Sequence, residues 1–295
     1  MSASNKLKVA IIGSGNIGTD LLMKTLRSNL ITCTLFAGRN FNSAGMKRAA
    51  ELGVPISDRG IEAIVSDPKI CDLVFDCTSA QAHHEHWDIL EKLGKIVIDM
   101  TPAKLGTLCI PAINAVECIV NGARNVNMIT CGGQVSIPIA YAISQVHKNI
   151  EYIEVASSIA SRSAGPATRY NLDEYVVTTQ DALKIFSGAK LTKAILILNP
   201  AIPPIDMQTT IYAKISNPNL AAISTSVMAM IDNIKKYVPG YQILVAPTIE
   251  GDRIVTTIKV LGAGDYLPQY AGNLDIINCA AISMAELIAE SNYEK

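Results

Sequence analysis

A glycine-rich hexapeptide near the N-terminus constrains the fold more than any other feature of the sequence. Its residues are Gly13, Ser14, Gly15, Asn16, Ile17 and Gly18, which fit the pattern G-x-G-x-x-G. The apolar run Leu7–Ile12 before it predicts a strand, and residues 16–28 predict a helix. In that context the first glycine permits a tight turn, the second lets the backbone approach a pyrophosphate, and the third lets the helix pack on the sheet. The hexapeptide therefore predicts a dinucleotide-binding unit, with a glycine-rich turn that binds no ligand as the alternative.

Short apolar runs alternate with helical segments through the first half of the chain. They are residues 31–37, 73–77, 96–100 and 125–130. Short apolar strands between helices are typical of a parallel sheet covered on both faces. We therefore predict an α/β fold with a Rossmann dinucleotide-binding domain. The next predicted helix covers residues 136–147, with Pro138 in its first turn.

The pattern changes after about residue 150. Strand-like stretches occur at residues 151–158, 193–198, 210–215, 242–246 and 254–261, and helical segments at 172–186 and 220–237. Asn171 and Glu174 have the spacing of a capping pair for the first of these helices. The last two strands flank Glu250-Gly251-Asp252, which indicates antiparallel pairing. We predict an α+β domain with a mainly antiparallel sheet. The predicted domains are residues 1–132 with the C-terminal helix 272–295, and residues 133–271, which bind substrate and form a dimer.

Charge and cysteine content exclude several classes of protein. Lys and Arg number 25 against 26 Asp and Glu, without a basic stripe, so we expect neither nucleic acid nor an anionic membrane as partner. No uninterrupted apolar run reaches the roughly 18 residues of a membrane span. The seven cysteines lack a C-x-x-C pair, which argues against a disulfide framework and a zinc cage and favours a cytoplasmic location. His83, His84 and His86 lack the spacing of a helical metal site, so we expect no metal.

Cys131 lies between a predicted strand and a predicted helix, in the segment Thr130-Cys131-Gly132-Gly133. Ligands of open α/β sheets bind at the carboxyl ends of the strands. We expect the positive end of the following helix to lower the pKa of the thiol, and the two glycines to leave backbone N–H groups for an oxyanion. Cys131 is therefore a candidate nucleophile, with a buried structural cysteine as the alternative.

A thiolate beside a nicotinamide indicates one type of reaction. The thiolate adds to an aldehyde, the thiohemiacetal gives a hydride to the cofactor, and a thioester results. The candidates for the second nucleophile are water, phosphate and the thiol of coenzyme A.

The second predicted strand ends without an acid. Dinucleotide folds usually carry one about 20 residues after the glycines, where it holds the ribose 2′-hydroxyl. Here the stretch is Ala37-Gly38-Arg39-Asn40, and no acid occurs before Glu51. Arg39 is a candidate contact for a 2′-phosphate or for adenine, with a solvated turn arginine as the alternative. We expect NAD as cofactor and a tolerance of NADP.

Two later segments also have ligand-binding character. The loop from Ser157 to Arg169 contains small residues, two arginines and no acid. Such a loop suits an anion such as a phosphate, with an ordinary surface loop as the alternative. Asn273 precedes the last predicted helix, and the residues alone favour an N-cap there.

Together these segments resemble the acylating acetaldehyde dehydrogenases that work with 4-hydroxy-2-oxovalerate aldolase in the meta-cleavage pathways of aromatic hydrocarbon catabolism. The resemblance covers nearly the whole chain, through KVAIIGSGNIGTDL, DCTSAQAH, DMTPA, NVNMITCGGQVSIP, SRSAGPATR, NPAIPP, YVPGY and YLPQYAGNLDI. It implies that Cys131 forms the acyl-thioester and that acetaldehyde, NAD and coenzyme A become acetyl-CoA and NADH. It also implies that Ser14–Ile17 bind NAD. The further NAD contacts that it implies are Arg162, Ser163, Ala164, Gly165, Pro166, Ala167, Thr168, Arg169, Tyr170 and Asn273.

The chain departs from the family pattern at four places. The family's G-I-D after the second strand is Gly38-Arg39-Asn40 here, which opens the choice of cofactor. The family's R-D-T is Gln208-Thr209-Thr210, so Thr209 replaces the aspartate that is thought to help activate the thiol. Ala167 replaces a loop glycine. The stretch between Tyr241 and Tyr266 is shorter than in typical members, which leaves the pairing with the aldolase open.

The expected function is the CoA-acylating oxidation of acetaldehyde, or of another short aldehyde, by a homodimer or a hetero-oligomer. One alternative is a phosphorylating semialdehyde dehydrogenase with phosphate as acyl acceptor. The other is a non-catalytic NAD-binding scaffold or sensor, which the missing aspartate would explain.

Overall fold

The computed structural model describes residues 6–293, so residues 1–5 and 294–295 of the first predicted domain lie outside the described residues. The chain divides into two compact units, Met1–Met128 with Asn278–Lys295, and Ile129–Ile277. Cys131 belongs to the second unit, whereas the predicted boundary after residue 132 placed it in the first domain. The difference arises because the helix that begins at Cys131 packs against helices of the second unit.

Within residues 6–128, the first unit contains seven strands and five α-helices before its C-terminal helix. They are β1 Leu7–Ile12, α1 Asn16–Thr25, β2 Ile31–Ala37, α2 Ala44–Glu51, β3 Ile56–Ser57, α3 Glu62–Ser66, β4 Leu73–Asp76, α4 Ala80–Leu90, β5 Ile96–Asp99, β6 Thr107–Leu108, α5 Pro111–Val120 and β7 Asn125–Asn127. The strands form one sheet in the order β3-β2-β1-β4-β5-β7-β6, and every pair in it is parallel. The predicted parallel α/β domain is confirmed. Its central strands are continuous apolar runs because they are buried, as in the fully buried β4.

The second unit contains a mixed sheet and four helices. They are α6 Cys131–Val146, β8 Ile150–Ala160, α7 Pro166–Tyr170, α8 Leu172–Ser187, β9 Leu191–Asn199, β10 Met207–Ile215, α9 Leu220–Lys235, β11 Tyr241–Glu250 and β12 Arg253–Val260. The strand order is β11-β12-β10-β8-β9, and all pairs are antiparallel except β8 with β9. The prediction of a mainly antiparallel sheet is confirmed, including the hairpin of β11 and β12.

Three local predictions are wrong. The strand expected at 125–130 ends at Asn127, because Ile129 takes the left-handed φ of 65° and turns the chain. Helix α6 therefore begins at Cys131 rather than at 136, and Pro138 lies inside it, where it cannot donate the helical hydrogen bond. Asn171 precedes α8 without a capping side-chain bond, because its φ of −105° and ψ of 35° are outside the extended region that capping requires.

The C-terminal helix α10, Gly272–Tyr293, begins at the predicted residue 272. Its residues Gly272–Ser291 have a mean hydropathy of 1.2 over the best window, which by length and composition alone is enough to cross a membrane. Polar residues such as Asp275 and Asn278 interrupt this helix, so its sequence contains no continuous apolar run of that length. As 72% of that window is buried, and core helices of globular proteins pass the same test, the evidence for a span is weak. Within the first unit, the side-chain amide of Asn278 in α10 donates a hydrogen bond to the Asp20 carboxylate of α1 at 2.8 Å.

Candidate active site

The thiol of Cys131 lies at the N-terminal end of helix α6. Thr130 is the N-cap, and its hydroxyl accepts a hydrogen bond from the Gly133 N–H at 2.9 Å. The same hydroxyl lies 2.7 Å from the Thr179 hydroxyl, which also donates to the carbonyl oxygen of Tyr175 at 2.7 Å. Helix α8 thus fixes the first turn of α6 from the side. Since the Gly133 amide serves the cap, the prediction that both glycines leave amides for an oxyanion is wrong.

Gly132 allows the ring of Tyr175 to approach the nucleophile. A Cβ atom at position 132 would overlap the Tyr175 hydroxyl oxygen and would lie 3.0 Å from Oγ of Ser157. Tyr175 is 6% exposed, so its hydroxyl lies in a buried contact beside Gly132 and Ser157. The glycine at this position is therefore required by the close contact between α8 and the first turn of α6.

The sheet of the second unit contributes two further hydroxyl groups near this contact. Ser157 on β8 and Thr209 on β10 are paired across the two strands, and their hydroxyl oxygens are 2.9 Å apart. Both side chains are almost completely buried, at 1% and 0% exposure. Thr209, which stands where the family aspartate is expected, therefore pairs with the hydroxyl of Ser157. No sequence pattern indicated Tyr175, and Ser157 was predicted only as the start of an anion-binding loop, whereas it lies in strand β8. The contact joins segments that are distant along the chain.

Burial decides the pKa of the Cys131 thiol. It raises the pKa to about 11, although hydrogen bonds from the Gly132 amide and from Tyr175 lower it. The predicted lowering by the helix N-terminus is thus outweighed in the protein without ligands, because the cost of burying the thiolate exceeds the gain from the donors. Cys131 as a residue remains partly accessible to solvent.

The glycine turn of the first unit has the predicted geometry. Gly13 has a φ of 112°, and a Cβ there would collide with the carbonyl oxygen of Cys77. A Cβ at Gly18 would overlap the carbonyl oxygen of Gly13, so this glycine permits the helix to pack on the strand. Gly15 is the N-cap of α1, has no side-chain cap, and has no heavy atom within 4 Å of the place of its Cβ. The open space beside Gly15 and the uncapped helix end fit a pyrophosphate.

The end of strand β2 packs against this turn. A Cβ at Gly38 would lie 2.6 Å from the hydroxyl oxygen of Ser14, which is 3.1 Å from the hydroxyl oxygen of Ser43. Arg39 follows Gly38 and is exposed. Arg39 therefore follows the residue that packs against the glycine turn, and its side chain is open to solvent.

The arginine-containing loop of the second unit is held by one of its own arginines. Arg169 donates from Nε to the carbonyl oxygen of Ala164 at 3.1 Å and from a terminal nitrogen to Ser161 Oγ at 2.8 Å. Its guanidinium is thus partly used to close the loop, whereas Arg162 is exposed. The predicted residues share this loop and the short helix α7, and the side chain of Ala167 lies outside the described residues.

Asn273 lies in the first turn of α10 and is not its N-cap, because the helix begins one residue earlier, at Gly272. Its side chain is buried at 1% exposure, and its Oδ1 has no hydrogen-bond partner among the described residues. A buried carbonyl oxygen without a partner is costly, so this atom suits a ligand donor.

Two of the three histidines of α4, His83 and His86, join a buried network with Asp76. His83 Nδ1 and His86 Nδ1 lie 3.0 and 2.8 Å from Oδ2 of Asp76, and His83 Nε2 lies 3.3 Å from Oδ2 of Asp99. Within residues 6–293, no group of three or more His, Cys, Asp or Glu side chains is arranged to hold a metal ion.

Comparison with known proteins identifies the family. The sequence model of the prokaryotic acetaldehyde dehydrogenase dimerisation domain matches residues 131–268, and that of the semialdehyde dehydrogenase NAD binding domain matches residues 8–118. The acetaldehyde dehydrogenase of Pectobacterium atrosepticum is 71% identical over 99% of both chains. This chain belongs to the acetaldehyde dehydrogenase family.

Other relatives agree. The acetaldehyde dehydrogenase of Spirochaeta aurantia is 54% identical over 99% of this chain and 98% of its own. That of Burkholderia thailandensis is 49% identical over 96% of this chain and 94% of its own. Aspartate semialdehyde dehydrogenase II of Vibrio cholerae, solved as a complex with ASA, covers 99% of both chains with a TM-score of 0.62 and 14% identity, which shows a shared fold. The resemblance to acetaldehyde dehydrogenases is thereby confirmed, as is the Rossmann-type domain with a second α/β domain.

Proposed function

We propose that this acetaldehyde dehydrogenase family member oxidises acetaldehyde to acetyl-CoA with NAD as hydride acceptor. The observation that carries the proposal is the thiol of Cys131, placed at the first residue of α6 and hydrogen-bonded to Tyr175. Family membership adds the reaction type, since the relatives are named acetaldehyde dehydrogenases.

Cys131 of the second unit carries the covalent steps of this reaction. The Cys131 sulfur adds to the aldehyde carbon, and the proton of its thiol passes to the aldehyde oxygen, which gives a thiohemiacetal. That proton is released to solvent when the hydride leaves the adduct. Bound NAD supplies the chemistry of hydride acceptance. Loss of the hydride turns the adduct into a thioester on Cys131. The thiol of coenzyme A then attacks the thioester carbon, acetyl-CoA leaves, and the Cys131 sulfur is released.

Several groups support the NAD site. Residues Ser14–Ile17 offer an uncapped helix start and the open space beside Gly15 for the pyrophosphate. The unpartnered Oδ1 of Asn273 is an acceptor suited to a donor group of the cofactor. We also assign the loop residues Arg162–Tyr170 to the cofactor, with Arg169 as the residue that keeps the loop closed. Because no acid follows β2, we propose that NADP is tolerated.

The acyl acceptor distinguishes this function from the phosphorylating alternative. Purified protein is assayed for NADH formation from acetaldehyde with either coenzyme A or phosphate as acceptor. We expect turnover with coenzyme A and none above background with phosphate. Turnover that depends on phosphate would overturn the proposal, and no turnover with either acceptor would favour the scaffold or sensor.

Cys131→Ala tests the nucleophile. We expect NADH formation to fall more than a thousandfold, because removing a catalytic nucleophile removes the covalent route. Cys279→Ala, in the first unit, is the matched control and is expected to keep wild-type turnover. The dissociation constant of NADH, measured by its fluorescence, is expected to change less than twofold in both variants. Turnover of Cys131→Ala within tenfold of wild type contradicts the assignment.

We further propose that the second unit forms a homodimer in the cytoplasm. The edge strand β11 exposes Leu244, Val245 and Ile249 at 52%, 41% and 50%, which a second copy would cover. Sedimentation velocity of Leu244→Lys should show more monomer than wild type, and an unchanged profile argues against this interface.

The cytoplasmic location is supported by the cysteines, none of which is in a disulfide in the described part of the chain. An aldolase partner remains a prediction that co-purification tests.

A further inference from the structure

We propose that the three hydroxyl groups of Tyr175, Ser157 and Thr209 form a directed hydrogen-bond chain that ends on the Cys131 sulfur and stabilises its thiolate. The inference rests on the proposed function, because it assigns a mechanism to the same nucleophile. It makes Tyr175 a catalytic residue, since its hydroxyl touches the sulfur. Ser157 and Thr209 are positioning residues that act through it.

The first support is the geometry of the chain. Thr209 and Ser157 face each other across β10 and β8, with their oxygens 2.9 Å apart. The Tyr175 hydroxyl oxygen occupies the place of a Cβ at Gly132, the residue after Cys131, and Ser157 Oγ lies 3.0 Å from the same point. All three side chains are at most 6% exposed, so water does not replace these contacts cheaply.

The second support is the direction that the hydroxyls impose. A thiolate only accepts hydrogen bonds, so the Tyr175 O–H must donate to it, and Tyr175 must then accept from Ser157. Ser157 in turn accepts from Thr209, which a threonine hydroxyl can supply. An ionised aspartate at position 209 only accepts and would reverse every bond in the chain. Thr209 is therefore the residue that allows the donors to point towards the sulfur.

The electrostatics agree with this direction. Burial raises the pKa of Cys131, and the Tyr175 hydrogen bond opposes that rise. Burial also raises the pKa of Tyr175 well above its usual value, so the ring keeps its proton and acts as a donor, not as a base. Tyr175 is the titratable side chain that faces the sulfur from α8, and Ser157 and Thr209 are the groups behind it on β8 and β10.

Tyr175→Phe tests the proposal through a readout that does not need turnover. The alkylation rate of Cys131 by iodoacetamide is followed by peptide mass spectrometry as a function of pH. We expect the pH midpoint of the alkylation rate to rise by about one unit in this variant, so that the alkylation rate at pH values below the midpoint falls about tenfold. Tyr141→Phe on the same helix as Cys131 is the matched control and should keep the wild-type profile. An unchanged midpoint in folded Tyr175→Phe overturns the proposal.

Variants at Thr209 test the direction of the chain. Thr209→Ser keeps a hydroxyl donor and should keep the wild-type profile. Thr209→Val keeps the shape and removes the donor, and Thr209→Asp reverses the chain, so both should raise the midpoint. A profile for Thr209→Asp that is shifted to lower pH would show that the chain runs the other way.

The proposed function and this inference fail in different ways. Normal turnover in Cys131→Ala removes the proposed function, whatever the alkylation profile of Tyr175→Phe. Loss of turnover in Cys131→Ala together with an unshifted profile in Tyr175→Phe keeps the function and removes the hydroxyl chain.

Discussion

The two units bury polar groups in opposite ways. The first unit buries ionisable groups, with the carboxylate of Asp76 between His83 and His86 and with Asp99 behind them. The second unit surrounds its nucleophile with neutral hydroxyls, Tyr175, Ser157 and Thr209. Charges can be buried where each has an opposite partner, and their role is then structural. A thiol that must ionise needs donors without negative charge, because a nearby carboxylate raises its pKa.

The charged network has clear electrostatic directions. Burial opposes ionisation of Asp76, but hydrogen bonds from His83 and His86 outweigh it and hold the pKa of Asp76 well below its usual range. Burial lowers the pKa of His83, yet the bond to Asp76 and the charge of Asp99 raise it overall. Burial raises the pKa of Asp99 to about 6, although His83 lowers it.

Among the variants that test this comparison of the two units, a change at the contact between Gly132 and Tyr175 is expected to have the largest effect. Gly132→Ala places a methyl group where the Tyr175 hydroxyl lies. We expect this overlap to displace the Cys131 thiol and to lower the acylation rate about a hundredfold. The free energy of unfolding should fall by about 1–3 kcal/mol. Stopped-flow NADH formation and urea denaturation measure the two effects. The double variant with Tyr175→Phe should recover part of the stability without recovering thiol reactivity, and full activity in Gly132→Ala contradicts the packing.

The charged network predicts a pH-dependent stability. The pKa values of His83 and Asp99 are raised, so both groups stabilise the folded state at low pH. The contribution of Asp99 is lost as the pH rises from about 4 to about 6. The contribution of His83 is lost as the pH rises above about 6.5. The lowered pKa of Asp76 contributes above about pH 4 and is lost below it. We expect His83→Gln to lower the free energy of unfolding by about 1.5–3 kcal/mol at pH 5 and by less at pH 8.

Urea denaturation at the two pH values measures this difference. His84→Gln is the matched control, because His84 is the neighbouring histidine and is exposed. A loss in His83→Gln that is equal at both pH values, or larger at pH 8, would show that the network does not carry the assigned charges.

A substitution at Gly15 should weaken ligand binding by the first unit without changing its folding stability. Because nothing lies within 4 Å of the place of its Cβ, Gly15→Ala should change the free energy of unfolding by less than about 0.5 kcal/mol. The methyl group would occupy the space assigned to the pyrophosphate, so the dissociation constant of NADH should rise about tenfold, or about 1.4 kcal/mol. Fluorescence titration and urea denaturation measure the two quantities. Unchanged NADH affinity argues against the pyrophosphate at this turn.

Arg39 gives the smallest expected effect, because the side chain is exposed and its contact is screened by solvent. Arg39→Ala should lower kcat/KM for NADP several-fold more than for NAD, since a guanidinium recognises the 2′-phosphate. Steady-state kinetics with both cofactors measure the ratio. Equal losses, or a preference of the wild type for NAD beyond about a thousandfold, contradict the assigned role.

The sequence predicts the parallel sheet and the glycine turn well, because both depend on local patterns. Leu7–Ile12 and Ile31–Ala37 are strands with the predicted bounds, and Gly13, Gly15 and Gly18 each have the expected environment. The start of α6 was mispredicted because the left-handed Ile129 is not visible in a hydrophobic pattern. The positions of Tyr175 and Ser157 beside the nucleophile depend on tertiary contacts, and the pKa of the Cys131 thiol depends on burial. Spacing along the chain predicts none of these features.

Mass spectrometry of the acyl-enzyme tests the central claim most directly. The protein is mixed with acetaldehyde and NAD in the absence of coenzyme A, quenched in acid and digested. The account predicts one acetyl group on the peptide that contains Cys131, in the amount of NADH formed in the first turnover, and its loss when coenzyme A is added. NADH formation without an acetyl group, or an acetyl group on another residue that coenzyme A removes, would contradict it.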